Sequence, residues 1–129
     1  MIQEAYVSFE TAKLLKEKGF NEKTDTIYWD SPLLKEVNIS PRVESSDGMA
    51  GSWINHDDEY PRPTHQMVLA YLREKDIYID VFPHKIYERK KQFLYEIKDE
   101  HAFYQSEGFF KTFEDATEAA IKYTFENLI

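Results

Sequence analysis

The chain has 129 residues, 42% apolar and 31% charged, with no cysteine and a formal net charge of -8. That length suits a single domain built around one hydrophobic core. Without cysteine there can be no disulfide framework, thiolate nucleophile or thiolate zinc site, and the acidic balance opposes the basic footprint needed to neutralise a polyanion. Acidity is concentrated in residues 1–60, which carry six Lys/Arg against twelve Asp/Glu. Nine Tyr, nine Phe and two Trp predict a core in which rings pack on rings and on aliphatics. No apolar run approaches the roughly 18 residues of a membrane span. Met1-Ile2-Gln3-Glu4 also lacks the character of a signal peptide, so a cytoplasmic location without membrane contact is expected.

In chain order, the first predicted element is a helix over Ser8 to Gly19. Ser8 can accept from an orphan N–H, Glu10 suits the positive end of the dipole, and Lys16 and Lys18 suit the negative end. Gly19 can close the helix in the left-handed conformation, with Phe20 folding back as the apolar contact of that cap. Phe9, Ala12, Leu14 and Leu15 form the expected buried stripe. Thr24 to Asp30, rich in β-branched and aromatic residues, predicts a short strand. From Pro32 to Pro63 periodicity fails: four of the five prolines lie there with Gly48 and Gly51, and a long irregular segment is expected.

A second helix follows Thr64, with Met67, Val68, Tyr71, Leu72 and Lys75 at helical spacing. Ile77, Ile79 and Val81 then alternate, as do Phe93, Tyr95 and Ile97, which predicts an antiparallel hairpin around a basic loop from His84 to Lys91. Thr112 stands three residues before Asp115 and caps a third helix whose stripe is Ala116, Ala119, Ala120, Tyr123 and Leu128. The expected architecture is one α+β domain over residues 1–129: a small antiparallel sheet of about three strands, with three helices packed mainly on one face.

Three stretches, Ala5 to Phe20, Pro61 to Ile79, and Phe113 to Ile129 with its Glu-Asp-Ala-Thr-Glu-Ala-Ala-Ile-Lys-Tyr run, resemble a family of small uncharacterised proteins of bacteriophages and prophages of gut bacteria. The likeness covers about half the chain and rests on caps and core stripes. It implies a phage or mobile-element context in a bacterial host cell, where the partner would be a host or phage protein, and it carries no activity.

Two clusters carry candidate chemistry. Trp53, His56, Asp57, Asp58, Glu59 and Tyr60 could form a binding loop for a cation or do acid–base work, or could be solvated charges with Trp53 and Tyr60 pinning the loop. Lys85, Arg89, Lys90 and Lys91 could bind an anionic partner, including single-stranded nucleic acid, or could keep a strand edge soluble. His56, His65, His84 and His101 show no ligand spacing, with His65 and His84 read as surface residues, and no phosphate loop, dinucleotide fingerprint or Gly-x-Ser-x-Gly elbow occurs. Hence no catalytic residue, metal or cofactor is assigned. Tyr78, Phe82 and Leu94 fall on the strand face opposite the core stripes, where they would form either a second small core or a docking surface, Tyr78 and Phe82 being the contacts of a homodimer. A non-catalytic interaction module is therefore expected ahead of a small enzyme or metal-binding protein using the 53–60 loop.

Overall fold

The computed structural model describes residues 3–31, 36–41, 58–87 and 90–129, without the side chains of 31, 85–87, 90 and 91. The α+β class is as expected, but among the described residues the strands form two antiparallel three-stranded sheets where one was anticipated. The chain divides into two compact units, Tyr6–Thr64 and Met1–Ala5 with His65–Ile129. No helix among the described residues is long and apolar enough to cross a membrane.

In the unit Tyr6–Thr64, helix α1 (Phe9–Glu17) begins where Ser8 Oγ accepts from the Thr11 amide at 3.2 Å. It ends in a Schellman closure: the Gly19 amide donates to Lys16 O at 3.2 Å and the Phe20 amide to Leu15 O at 2.9 Å. Gly19 has φ 89°, a conformation a β-carbon disfavours. Ala12, Leu15 and Phe20 are buried, while Phe9 sits edge-on to Tyr28 (5.7 Å) and Tyr60 (5.2 Å). The sheet order is β2 (Glu36–Pro41), β1 (Thr26–Ser31), β3 (Glu59–Pro61), with α1 against β3.

Strands β2 and β3 lie inside the stretch read as irregular. In β2 only Val37 and Ile39 alternate, and both are exposed, so pairing with β1 sustains this edge strand without a buried apolar face. The third strand is only three residues long, too short for periodicity to register, and Tyr28 opposite Tyr60 fixes its place.

In the other unit, helix α2 (His65–Glu74) leads into the hairpin of β4 (Tyr78–Tyr87) and β5 (Lys90–Lys98). These strands pair from Tyr78–Lys98 up to Tyr87–Lys90, with a register shift between His84 and Tyr87, so most of the supposed basic loop is strand. A short strand that periodicity did not reveal, β6 (Phe103–Gln105), adds to the outer edge of β5. Phe110 continues that edge by exchanging backbone hydrogen bonds with Phe93 at 2.8 and 2.9 Å. Thr112 Oγ1 accepts from the Asp115 amide at 3.0 Å to open α3 (Phe113–Asn127), which packs on β4 and β5.

The core of this unit contains Val68, Leu72, Ile97, Ala116, Ala120, Ile121 and Phe125. The α3 stripe differs from the expected one because Thr117 and Thr124 are buried with it. Their hydroxyls donate to Phe113 O and Ala120 O, each at 2.8 Å, which satisfies the polar atom inside the helix and leaves the methyl to pack. Helix α2 ends like α1, with the Ile77 amide donating to Leu72 O at 3.0 Å, yet here Asp76 occupies the left-handed position at φ 61°.

Candidate functional site

Strand alternation gives the β4–β5–β6 sheet two unlike faces. Ile79 lies opposite Ile97, Val81 opposite Tyr95, and Ile97 opposite Tyr104. Tyr104 stands 5.9 Å from the ring of Tyr123 on α3, Phe93 is edge-on to Phe113, and Tyr95 is 5.9 Å from Phe110. That is the helix-covered face.

The other face carries Tyr78, Asp80, Phe82 and His84 of β4, Gln92, Leu94, Glu96 and Lys98 of β5, and Phe103 and Gln105 of β6. Tyr78 is 48% exposed and Phe103 54%; Phe82 and Leu94, opposite each other, are half-buried. Phe109, 53% exposed, lies 4.8 Å from the His84 ring at the far end. Three large rings therefore meet solvent on one sheet surface, more than the sequence had suggested from Tyr78 and Phe82. Phe103 and Phe109 were missed because they sit in a stretch without period; the available signal was two adjacent aromatic pairs, Phe103-Tyr104 and Phe109-Phe110.

Charge on this face is unbalanced in rows. Asp80 is directly opposite Glu96, a like-charge pair that opposes sheet pairing. One row away Lys98 stands between Tyr78 and Phe103, its ammonium 5.9 Å from the Phe103 ring, without an ion-pair partner among the described residues.

The remaining predicted site residues are dispersed. Trp53, His56 and Asp57 lie outside the described residues. Asp58 accepts from the Trp29 indole N–H at 2.8 Å, the Glu59 carbonyl accepts from Lys16 Nζ at 2.7 Å, and the Tyr60 ring packs under Lys16 at 4.7 Å. These three residues fasten β3 to β1 and α1. Of the basic group, Arg89 lies outside the described residues, while Lys85 on β4 and Lys90 and Lys91 on β5 have strand backbones. Among the described residues no three His, Asp or Glu side chains gather to hold a metal ion.

Two histidines are not the surface residues expected. His65 is buried, with Nε2 3.2 Å from Glu118 Oε2, because the first turn of α2 faces α3. His84 is half-buried beside Phe109. Burial, with Tyr123 and Glu107 nearby, raises the Tyr95 hydroxyl above its ordinary value. In the turn between β5 and β6, Asp99 Oδ1 accepts from the His101 and Ala102 amides at 2.8 and 2.7 Å, which lowers its carboxyl.

No protein-family model, curated protein or solved structure matches the chain. Function must therefore be read from the geometry.

Proposed function

We propose that this protein is a non-catalytic interaction module whose docking surface is the outer face of the β4–β5–β6 sheet and whose partner there is a second copy of the chain. The observation that carries this reading is the exposure of Tyr78, Phe103 and Phe109 on a sheet whose opposite face is filled by helix packing. Exposed aromatic clusters on a protein surface mark interaction sites.

Charge favours a second copy. A two-fold axis lying in this face, perpendicular to the strands and between the 96 and 98 rows, seats each Lys98 over the Glu96 of the other copy and brings the Asp80–Glu96 pair a cation that it does not have among the described residues. The face is small. Under this axis only rows 96 to 98 overlap, and three strands about 4.8 Å apart over roughly three residues span only about 150 Å² in plan, against roughly 800 Å² per partner in a standard interface. The dimer is accordingly a reversible one, with Kd on the order of 10–100 µM. A role as an accessory protein of a phage or mobile element rests on the resemblance of residues 5–20, 61–79 and 113–129.

Sedimentation velocity over about 5–500 µM should show a concentration-dependent monomer–dimer equilibrium. Lys98→Glu should weaken it by about tenfold or more, adding Glu96→Lys should restore most of the loss, and Phe103→Glu should abolish it. A chain that stays monomeric at the highest concentration, or a dimer indifferent to both charge reversals, sinks the reading.

A further inference from the structure

The unit Tyr6–Thr64 holds a cation without an ion-pair partner among the described residues. Strand β3 ends at Pro61 opposite Ile27, so Arg62 falls beside Thr26 of β1, and Arg62 Nη1 donates to Thr26 Oγ1 at 3.1 Å. The chain at Tyr6 and Val7 runs antiparallel to Pro63 and Thr64, with the Val7 amide donating to Pro63 O at 3.1 Å. That pairing brings the Tyr6 ring against the guanidinium, whose central carbon stands 3.8 Å from the ring centroid and 5.6 Å from that of Tyr28. Tyr28 is held in turn by its hydroxyl, which donates to the Val7 carbonyl.

The guanidinium is thus fixed by a stack and one hydrogen bond, while its charge goes unanswered: no carboxylate among the described residues lies within ion-pair distance. Nε is buried without a hydrogen-bond partner among the described residues. Nη2 also has no hydrogen bond among the described residues, and it is not among the buried atoms, so that nitrogen is accessible. A planar guanidinium held by an aromatic stack, with one Nη1 N–H given to Thr26, keeps a second N–H on Nη1 and both on Nη2, and a parallel pair of such N–H groups is the geometry that receives the two oxygens of a carboxylate.

We propose that Arg62, supported by Tyr6 and Thr26, is a binding site for a carboxylate-bearing ligand. Charge selects a carboxylate over a phosphate: one guanidinium balances a monoanion, and the net charge of -8 opposes a dianion. The Tyr6 ring, 38% exposed, adds an apolar wall for whatever carries the carboxylate. The group is either a free small acid or the C-terminus of a peptide, and both present the same fork.

The test uses the full chain and follows the Arg62 Nε–H resonance by NMR; its burial slows exchange with water and makes it observable. The probes are benzoate, a Gly-Gly-Phe peptide with a free C-terminus, the same peptide amidated, and inorganic phosphate. Saturable shifts of that resonance by benzoate or by the free peptide, with Kd on the order of 1 mM, support the site and name the source of the carboxylate. Arg62→Lys keeps the charge and the stem but loses the fork, and should weaken binding several-fold while the far-UV spectrum is preserved. Tyr6→Leu should weaken it with the Thr26 hydrogen bond intact. No shift with either carboxylate, equal binding of the amidated peptide, or phosphate binding at least as tightly would overturn the proposal. Failure here leaves self-association through the outer sheet face untouched, since none of these residues lies on it.

Discussion

Ile97→Ala tests the facing of the β4–β5–β6 sheet on which the docking surface depends. Ile97 is fully buried between Ile79 and Tyr104 on the helix-covered face. Truncation removes three carbons at about 0.8 kcal/mol each, and the cavity left beneath α3 adds to that, for about 3–4 kcal/mol in all. With about 2.1 cal/mol/K of unfolding entropy per residue, 129 residues convert this into a fall in Tm of about 11–15 °C. Tyr78→Ala is the matched control: Tyr78 pairs with Lys98, the residue next to Ile97 on β5, yet it is half exposed on the other face. It should cost about 1 kcal/mol or less, a shift of at most about 4 °C. Both variants are read by circular dichroism melts and by urea unfolding at constant m-value. If Tyr78→Ala proves as damaging as Ile97→Ala, the two faces have been assigned wrongly, and the exposed aromatics are core.

The two helix closures make opposite predictions. Gly19→Ala places a β-carbon at φ 89° with no atom within 4 Å, so its cost is backbone strain alone, about 1 kcal/mol; Asp76→Gly relieves the same strain at φ 61° and should be neutral or stabilising by up to about 1 kcal/mol. Chemical denaturation measures both, and a stabilising Gly19→Ala would contradict the closure geometry. For Asp99, the folded carboxyl titrates below its ordinary 3.8 because it accepts two turn amides, so its contribution is complete above that ordinary value and is lost as pH falls through the lower folded one. The His101 and Ala102 amide shifts, followed from pH 5 to 2, should report a midpoint below 3.8; a midpoint at or above it would remove the turn hydrogen bonds from the account.

Local chemistry was legible wherever one residue type performs one task. Ser8 and Thr112 are caps because their hydroxyls reach the amide three residues on, and Gly19 closes α1 because glycine tolerates a positive φ. The same closure after α2 escaped notice because Asp76 fills the glycine position and aspartate carries no comparable signal. The alternation of Ile77 to Phe82 and of Phe93 to Ile97 marked the hairpin, since a period of two survives only where one face is buried.

The tertiary structure alone decided what those elements face. Strands β2, β3 and β6 are too short or too exposed to carry a period, and they exist because a neighbour supplies their hydrogen bonds; with them, the expected single sheet became two. Thr117 and Thr124 could join the core only because helix carbonyls at i−4 take up their hydroxyls. Arg62 carries no signal in the sequence, and only the strand register brings Thr26 and Tyr6 to it. Sequence determines which local geometries each residue can adopt, whereas pairing across dozens of intervening residues determines which side chains share a surface, and function resides on that surface.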